Sequence, residues 1–157
     1  MRAMRSAGVS YRMRSLMHAD RSPAVVDCVP VERSPDHGPV PVWLVSNGSV
    51  LSAANLATSR RDRRRGLIGA GRVDVPLVLR PCNWVHTVGV KVPLDVAWVA
   101  ADGTVLATAT VRPVRVTPMH RRAGFVIEAA AGSFERWGLR EGCTVEVRGT
   151  QHGGTTA

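Results

Sequence analysis

Pro81 to Leu106 reads PCNWVHTVGVKVPLDVAWVAADGTVL, and this stretch decides the fold. It places a Cys, a His, a Lys and an Asp around two apolar runs. Leu94 to Val99 is apolar apart from Asp95, the composition of a buried strand. Asp102-Gly103 is a turn dipeptide, and Thr104 to Val111 returns with small and β-branched residues. The stretch therefore predicts a β-hairpin. Trp84 to Val92 before it reads as a further extended segment.

The same reading works outward in both directions. Val42 to Val45 is a strand, Asn47-Gly48 is a strong hairpin turn, and Val50 to Ala57 is the returning strand. Thr58 or Ser59 can cap a short helix that runs through Arg65 and ends at Gly66. Val75 to Leu79 is a compact apolar strand with Pro76 near its start. On the C-terminal side Phe125, Ile127 and Ala129 alternate with Val126, Glu128 and Ala130. Ser133 to Trp137 suits a helical turn closed by Gly138. Cys143, Val145 and Val147 then alternate with polar residues in a last strand. The expected fold is mainly β (α+β). It is a small, partly closed, antiparallel, β-barrel-like sheet of about seven strands with two short helices.

The chain has 157 residues, enough for one domain with a core that needs no disulfide or metal. Residues 40–149 are expected to form that domain. Residues 1–38 carry Arg, Ser, Asp and Pro with little apolar periodicity, and five prolines (Pro23, Pro30, Pro35, Pro39 and Pro41) punctuate the stretch from 23 to 41. Residues 1–38 read as a disordered tail, or as a start codon assigned too early. At most Val25 to Val31 adds a short edge strand. Residues 150–157 read as a loose C-terminal tail.

Aromatic residues make up only 4% of the chain, so Val, Leu and Ala must fill most of the core. The formal net charge is +9, and all but one of the basic residues are Arg. That excess fits a compositional bias as well as an anionic partner. The three cysteines, Cys28, Cys82 and Cys143, are far apart and odd in number, which argues against a disulfide framework and fits a reducing compartment. The N-terminus is basic but lacks the apolar core of a secretion signal. No run approaches the ~20 apolar residues of a membrane helix. A soluble, cytoplasmic protein is expected, with no membrane partner and no cofactor. The sequence is silent on oligomeric state.

Cys82 and His86 form the sharpest pair. On a helix they would share a face and could hold zinc. In a strand they would lie ~13 Å apart, and no second half-site completes a metal centre. Cys82 could instead be a nucleophile, activated by His86, Lys91 or an arginine and oriented by Asp95 or Glu128. The plainer reading is a buried thiol and a hydrogen-bonded imidazole. Asp95, between apolar neighbours, is expected to pair with Arg65 as a structural tie. Glu128 is expected to face away from the core. The run Arg60 to Arg65 wraps several faces of a helix, and no aromatics interleave it for base stacking. A solvated face is its default reading, and weak nucleic-acid association the rival. Dinucleotide, phosphate-loop, nucleophile-elbow and metalloprotease motifs are absent.

Several of these residues resemble the bacterial and archaeal family called domain of unknown function 192. The family's Ala-Thr strand end and Arg-x-Arg-Gly-Leu block correspond to Ala57, Thr58, Arg63, Arg65, Gly66 and Leu67. Its central pattern corresponds to Pro81, Cys82, Val85, His86, Thr87, Gly89, Pro93, Leu94, Asp95 and Val96. Its Asp-Gly turn matches Asp102-Gly103. The late Leu-Glu-x-x-x-Gly resembles Ile127, Glu128 and Gly132, and the closing block Gly138, Leu139 and Gly142. Large apolar residues of the family are trimmed to Val88, Val90 and Val92 here, and Cys143 replaces an acidic position. The resemblance, over about residues 42–148, implies a small β-rich fold and no established reaction.

The leading expectation is a non-enzymatic binding or accessory module. Its site would lie near Cys82, His86, Thr87, Lys91 and Asp95, with Arg65 and Glu128 as a structural pair or part of the site. The partner would be a small molecule or a peptide. The alternative is a small enzyme that uses Cys82 or His86.

Overall fold

The structure is a computed structural model that describes residues 38–149. The two expected tails, 1–38 and 150–157, fall outside the described residues but for Gly38. β1 (Val40–Ser46) and β2 (Ser49–Ala57) form the first antiparallel hairpin. Asn47 and Gly48 both adopt positive φ, which the tight turn between right-twisted strands requires and which Asn and Gly tolerate best. α1 (Arg60–Arg65) then crosses over to β3 (Leu77–Leu79), which lies parallel to β2.

β4 (Leu94–Ala100) and β5 (Val105–Val111) form the hairpin read from the sequence. At its turn the Thr104 N–H donates to Asp102 Oδ1 at 2.9 Å. A Cβ on Gly103 would stand 2.6 Å from the Val145 carbonyl oxygen, so no other residue fits there. β6 (Ala123–Ala130) inserts between β4 and β3 and pairs antiparallel with both. α2 (Ser133–Trp137) follows, and β7 (Glu146–Gly149) pairs with β1.

The result is one seven-stranded sheet in the order β5-β4-β6-β3-β2-β1-β7. It is antiparallel apart from the β2–β3 pair. The sheet does not close into a barrel. Among the described residues its two outer strands are tied at one end, where Val105 N–H donates to Cys143 O and Val145 N–H donates to Gly103 O, each at 2.8 Å.

Both faces of the sheet are covered, and two cores result. One face carries Leu44, Val78, Ala97, Val99, Phe125 and Ile127, with Phe134 of α2 packed on it. The other carries Leu77, Leu79, Val96, Trp98 and Val126, with Val85 and Val90 plugged in from the loop after β3. Coverage on both sides makes β4 and β6 buried along nearly their whole length. A strand of that kind shows a continuous apolar run in place of alternation.

Candidate functional site

The site begins with how α1 is held. The Asp62 N–H donates to Ser59 Oγ at 3.0 Å, and the Ser59 hydroxyl donates back to the Asp62 carboxylate at 2.5 Å. This local cap starts the helix, and the Gly66 N–H closes it onto Asp62 O at 2.9 Å. The Arg63 guanidinium donates to the carbonyls of Thr58 and Arg80, tying the helix to the ends of β2 and β3. No α1 residue is buried. The turn after the helix joins the loop after β3: Gly69 N–H donates to Gly89 O at 2.8 Å, and Lys91 N–H to Ala70 O at 3.1 Å.

That loop, residues 80–93, is the second wall. The extended segment expected from Trp84 to Val92 is not a strand. It touches the ladder pattern only where His86 faces Val116. Two buried threonines shape it instead. Thr87 Oγ1 donates to Arg112 O at 2.7 Å and accepts from the Arg115 N–H at 3.0 Å. Thr117 Oγ1 accepts from the Val85 N–H and donates to Val85 O, both at 3.0 Å. These hydroxyls do what a strand partner would otherwise do for the loop's backbone. Val85 and Val90 of the loop point down into the core and Val92 packs at its margin, while Val88 is exposed, which is why a β-branched composition reads as a strand here.

Between α1 and this loop lies a cleft of about 550 Å³, with Glu128 and Leu79 of the sheet among its lining residues. Glu128 is 3% exposed, and its Oε2 has no hydrogen-bond partner among the described residues. Across the sheet its neighbours are Leu77 and Val96, both apolar. Burial pushes its carboxyl up to about 7. A Cβ on Gly66 would come to 3.9 Å from that oxygen, so the end of α1 closes directly over the carboxyl.

Cys82 and His86 line the same cleft. Cys82 Sγ donates to Trp84 O at 3.1 Å. Burial raises its thiol, the Glu128 charge raises it further, and hydrogen bonding and Arg63 oppose the rise. His86 Nδ1 is buried without a partner among the described residues. Its ring centroid is 6.1 Å from that of Trp84, which is exposed at the lip. Among the described residues no group of three or more His, Cys, Asp or Glu side chains gathers as a metal cluster would.

The structure therefore brings together Cys82, His86, Arg65 and Glu128. Thr87, Lys91 and Asp95 do not line the cleft. Thr87 is a buried brace of the loop, and Lys91 is exposed beyond it.

Two expectations need correction. Asp95 does not pair with Arg65. It accepts from the Thr110 hydroxyl at 2.8 Å and from the Phe134 N–H at 3.1 Å, in the first turn of α2. Asp95 shares the sheet face of Ala97 and Val99, whereas α1 stands over the opposite face, so the sheet separates the two groups. Glu128 does not face solvent. The alternation in β6 suggests one wet face, but both faces are covered. The signal that could have shown this is the run Phe125 to Ala130, where one carboxylate interrupts otherwise apolar residues.

A small α+β domain results, with a mixed sheet and one cleft that holds an unpaired buried carboxyl. Residues 42–147 match the family model of domain of unknown function 192, described as "Uncharacterized ACR", and the chain belongs to this family. No curated protein matches the chain. Two crystal structures are similar in fold. One is a protein of unknown function from Novosphingobium aromaticivorans DSM 12444, with a TM-score of 0.58 and 21% identity over 69% of this chain and 84% of that one. The other is a candidate transcription regulator from Sinorhizobium meliloti 1021, with a TM-score of 0.60 and 21% identity over 71% of this chain and 97% of that one. At that identity the likeness concerns the fold alone. Among the described residues no helix is long and apolar enough to cross a membrane.

Proposed function

We propose that this protein is a non-enzymatic binding module, and that the cleft over Glu128 is its ligand site. One observation carries the reading: Glu128 Oε2 is buried, unpaired and borders a cavity large enough for a small molecule or a peptide segment. A buried polar atom without a partner costs ~1–3 kcal/mol. The fold gains nothing from a carboxyl there, since an apolar residue would pack against Leu77 and Val96 without that cost. A ligand that hydrogen-bonds the carboxyl accounts for it. Cytoplasmic residence belongs to the same proposal, and the unbridged thiols of Cys82 and Cys143 support it.

The rival is a small enzyme. A carboxyl that titrates at about 7 suits proton transfer near neutral pH. The Cys82 thiol counts against nucleophilic catalysis, because burial raises it and leaves less thiolate.

Nitrogen–proton correlation spectra of the protein, recorded with a library of small fragments, test the binding reading. Fragment hits are expected to shift resonances of residues 63–68, 82–86 and 128 together. Hits that gather elsewhere, or a library that leaves these resonances still, would overturn it.

A further inference from the structure

Four arginines of α1, Arg60, Arg63, Arg64 and Arg65, line the cleft. None forms an ion pair with a carboxylate among the described residues. The ion pairs found there are Arg72–Asp74 and Arg148–Glu146, and neither belongs to the cleft. The Arg63 side chain is occupied by the carbonyls of Thr58 and Arg80, while the side chains of Arg60, Arg64 and Arg65 form no hydrogen bond among the described residues. Much of the remaining lining is apolar: Leu67, Ile68, Leu79, Val85 and Trp84. Ile68 and Trp84 are both exposed at the lip.

Resting on the binding reading above, we propose that the ligand is an organic anion. Its acidic oxyanion head lies on the α1 arginines, its apolar body lies against Leu67, Ile68, Val85 and Trp84, and a hydrogen-bonding group between them reaches Glu128. Guanidinium groups recognise oxyanions through paired, charge-assisted hydrogen bonds. The apolar wall supplies burial for a body but nothing for a second charge. A long polyanion fits less well. Nucleic acid is held on open basic surfaces with aromatic platforms for its bases, whereas this cleft has a carboxyl within it and Trp84 as its one aromatic side chain besides His86. An oxyanion head could come from a free organic acid or from the C-terminus of another chain, and the recognition chemistry is shared.

The full-length protein is titrated with N-acetyl-leucine, with its uncharged amide, with a short peptide ending in a free leucine carboxylate, and with a single-stranded oligonucleotide. Shifts of the Gly66, Leu67, Ile68, Cys82 and His86 resonances give the affinities. Both acids are expected to bind about tenfold or more tightly than the amide. The tighter of the two acids identifies the source of the head group. Arg64→Gln combined with Arg65→Gln should bring the acids down to the level of the amide. Both residues are exposed and make no described contact that the fold needs. Equal binding of acid and amide would overturn the anion class and leave the binding reading standing. Oligonucleotide binding stronger than that of either acid, and lost in the double variant, would overturn it in favour of a nucleic-acid surface. Silence from all four probes would also overturn the anion class, while the fragment library decides the binding reading by itself.

Discussion

Replacing Glu128 with Gln is expected to stabilise the protein by about 3 kcal/mol at about pH 8 and to change little at about pH 4. The carboxyl titrates at about 7 when folded against an ordinary value of 4.5. Below the unfolded value both states hold the proton, and ionisation adds no penalty to folding. As pH rises from about 4.5 the unfolded chain releases the proton first, so folding becomes progressively less favourable. Above about 7 the folded state ionises too, and the penalty stays constant. Gln keeps the shape of the side chain and removes the ionisation. The gap between variant and wild type should therefore open between about pH 4.5 and about pH 7 and then hold level. Urea unfolding across that range measures it. A gap that does not depend on pH would mean that the carboxyl is hydrated or paired in solution.

Asp95→Ala is expected to act in the opposite direction, with a loss of about 3 kcal/mol. Asp95 is 4% exposed, and its two oxygens take hydrogen bonds from Thr110 and from the start of α2. Hydrogen bonds to a charged acceptor contribute ~1.5–3 kcal/mol each. Thr110 is exposed and can turn to water, so the buried Phe134 N–H carries most of the loss. Asp95→Asn retains one acceptor and should recover part of it. Arg65→Ala should change stability by less than about 0.5 kcal/mol, and the double variant should be additive, because the sheet separates the two side chains. Thermal or denaturant melts of the four proteins decide this. A strong, non-additive loss at Arg65 would restore the ion pair that the structure does not contain.

These two carboxylates also show where reading a sequence succeeds and where it stops. Both hairpins were legible, because Asn47-Gly48 and Asp102-Gly103 satisfy backbone conformations that few other residues tolerate. The caps of α1 were legible for the same local reason, through Ser59 and Gly66. The parallel β2–β3 pair was not, since nothing local tells a strand which neighbour it will meet after a crossover. The faces of β4 and β6 were not legible either. Alternation identifies a wet face only where one side of the sheet is open, and Glu128 and Asp95 sit in strands covered on both sides. A lone carboxylate in an apolar run says that a group is buried, but not against what. The polar cluster at Cys82 and His86 was visible. Arg65 and Glu128, named from the sequence as a structural pair or part of the site, line the same cleft because the sheet and loop bring distant segments together. Thr87, expected near the site, lies outside the cleft and braces the loop.

Glu128 is the residue on which the account turns: a carboxyl kept at a cost to stability, where the fold would do better without it. Its own titration is the most direct test. A carboxyl-carbon NMR titration of the ligand-free protein should show Glu128 with a midpoint of about 7, apart from the other glutamates. A midpoint near the ordinary value of 4.5 would contradict the account, because the carboxyl would then be neither desolvated nor in want of a partner.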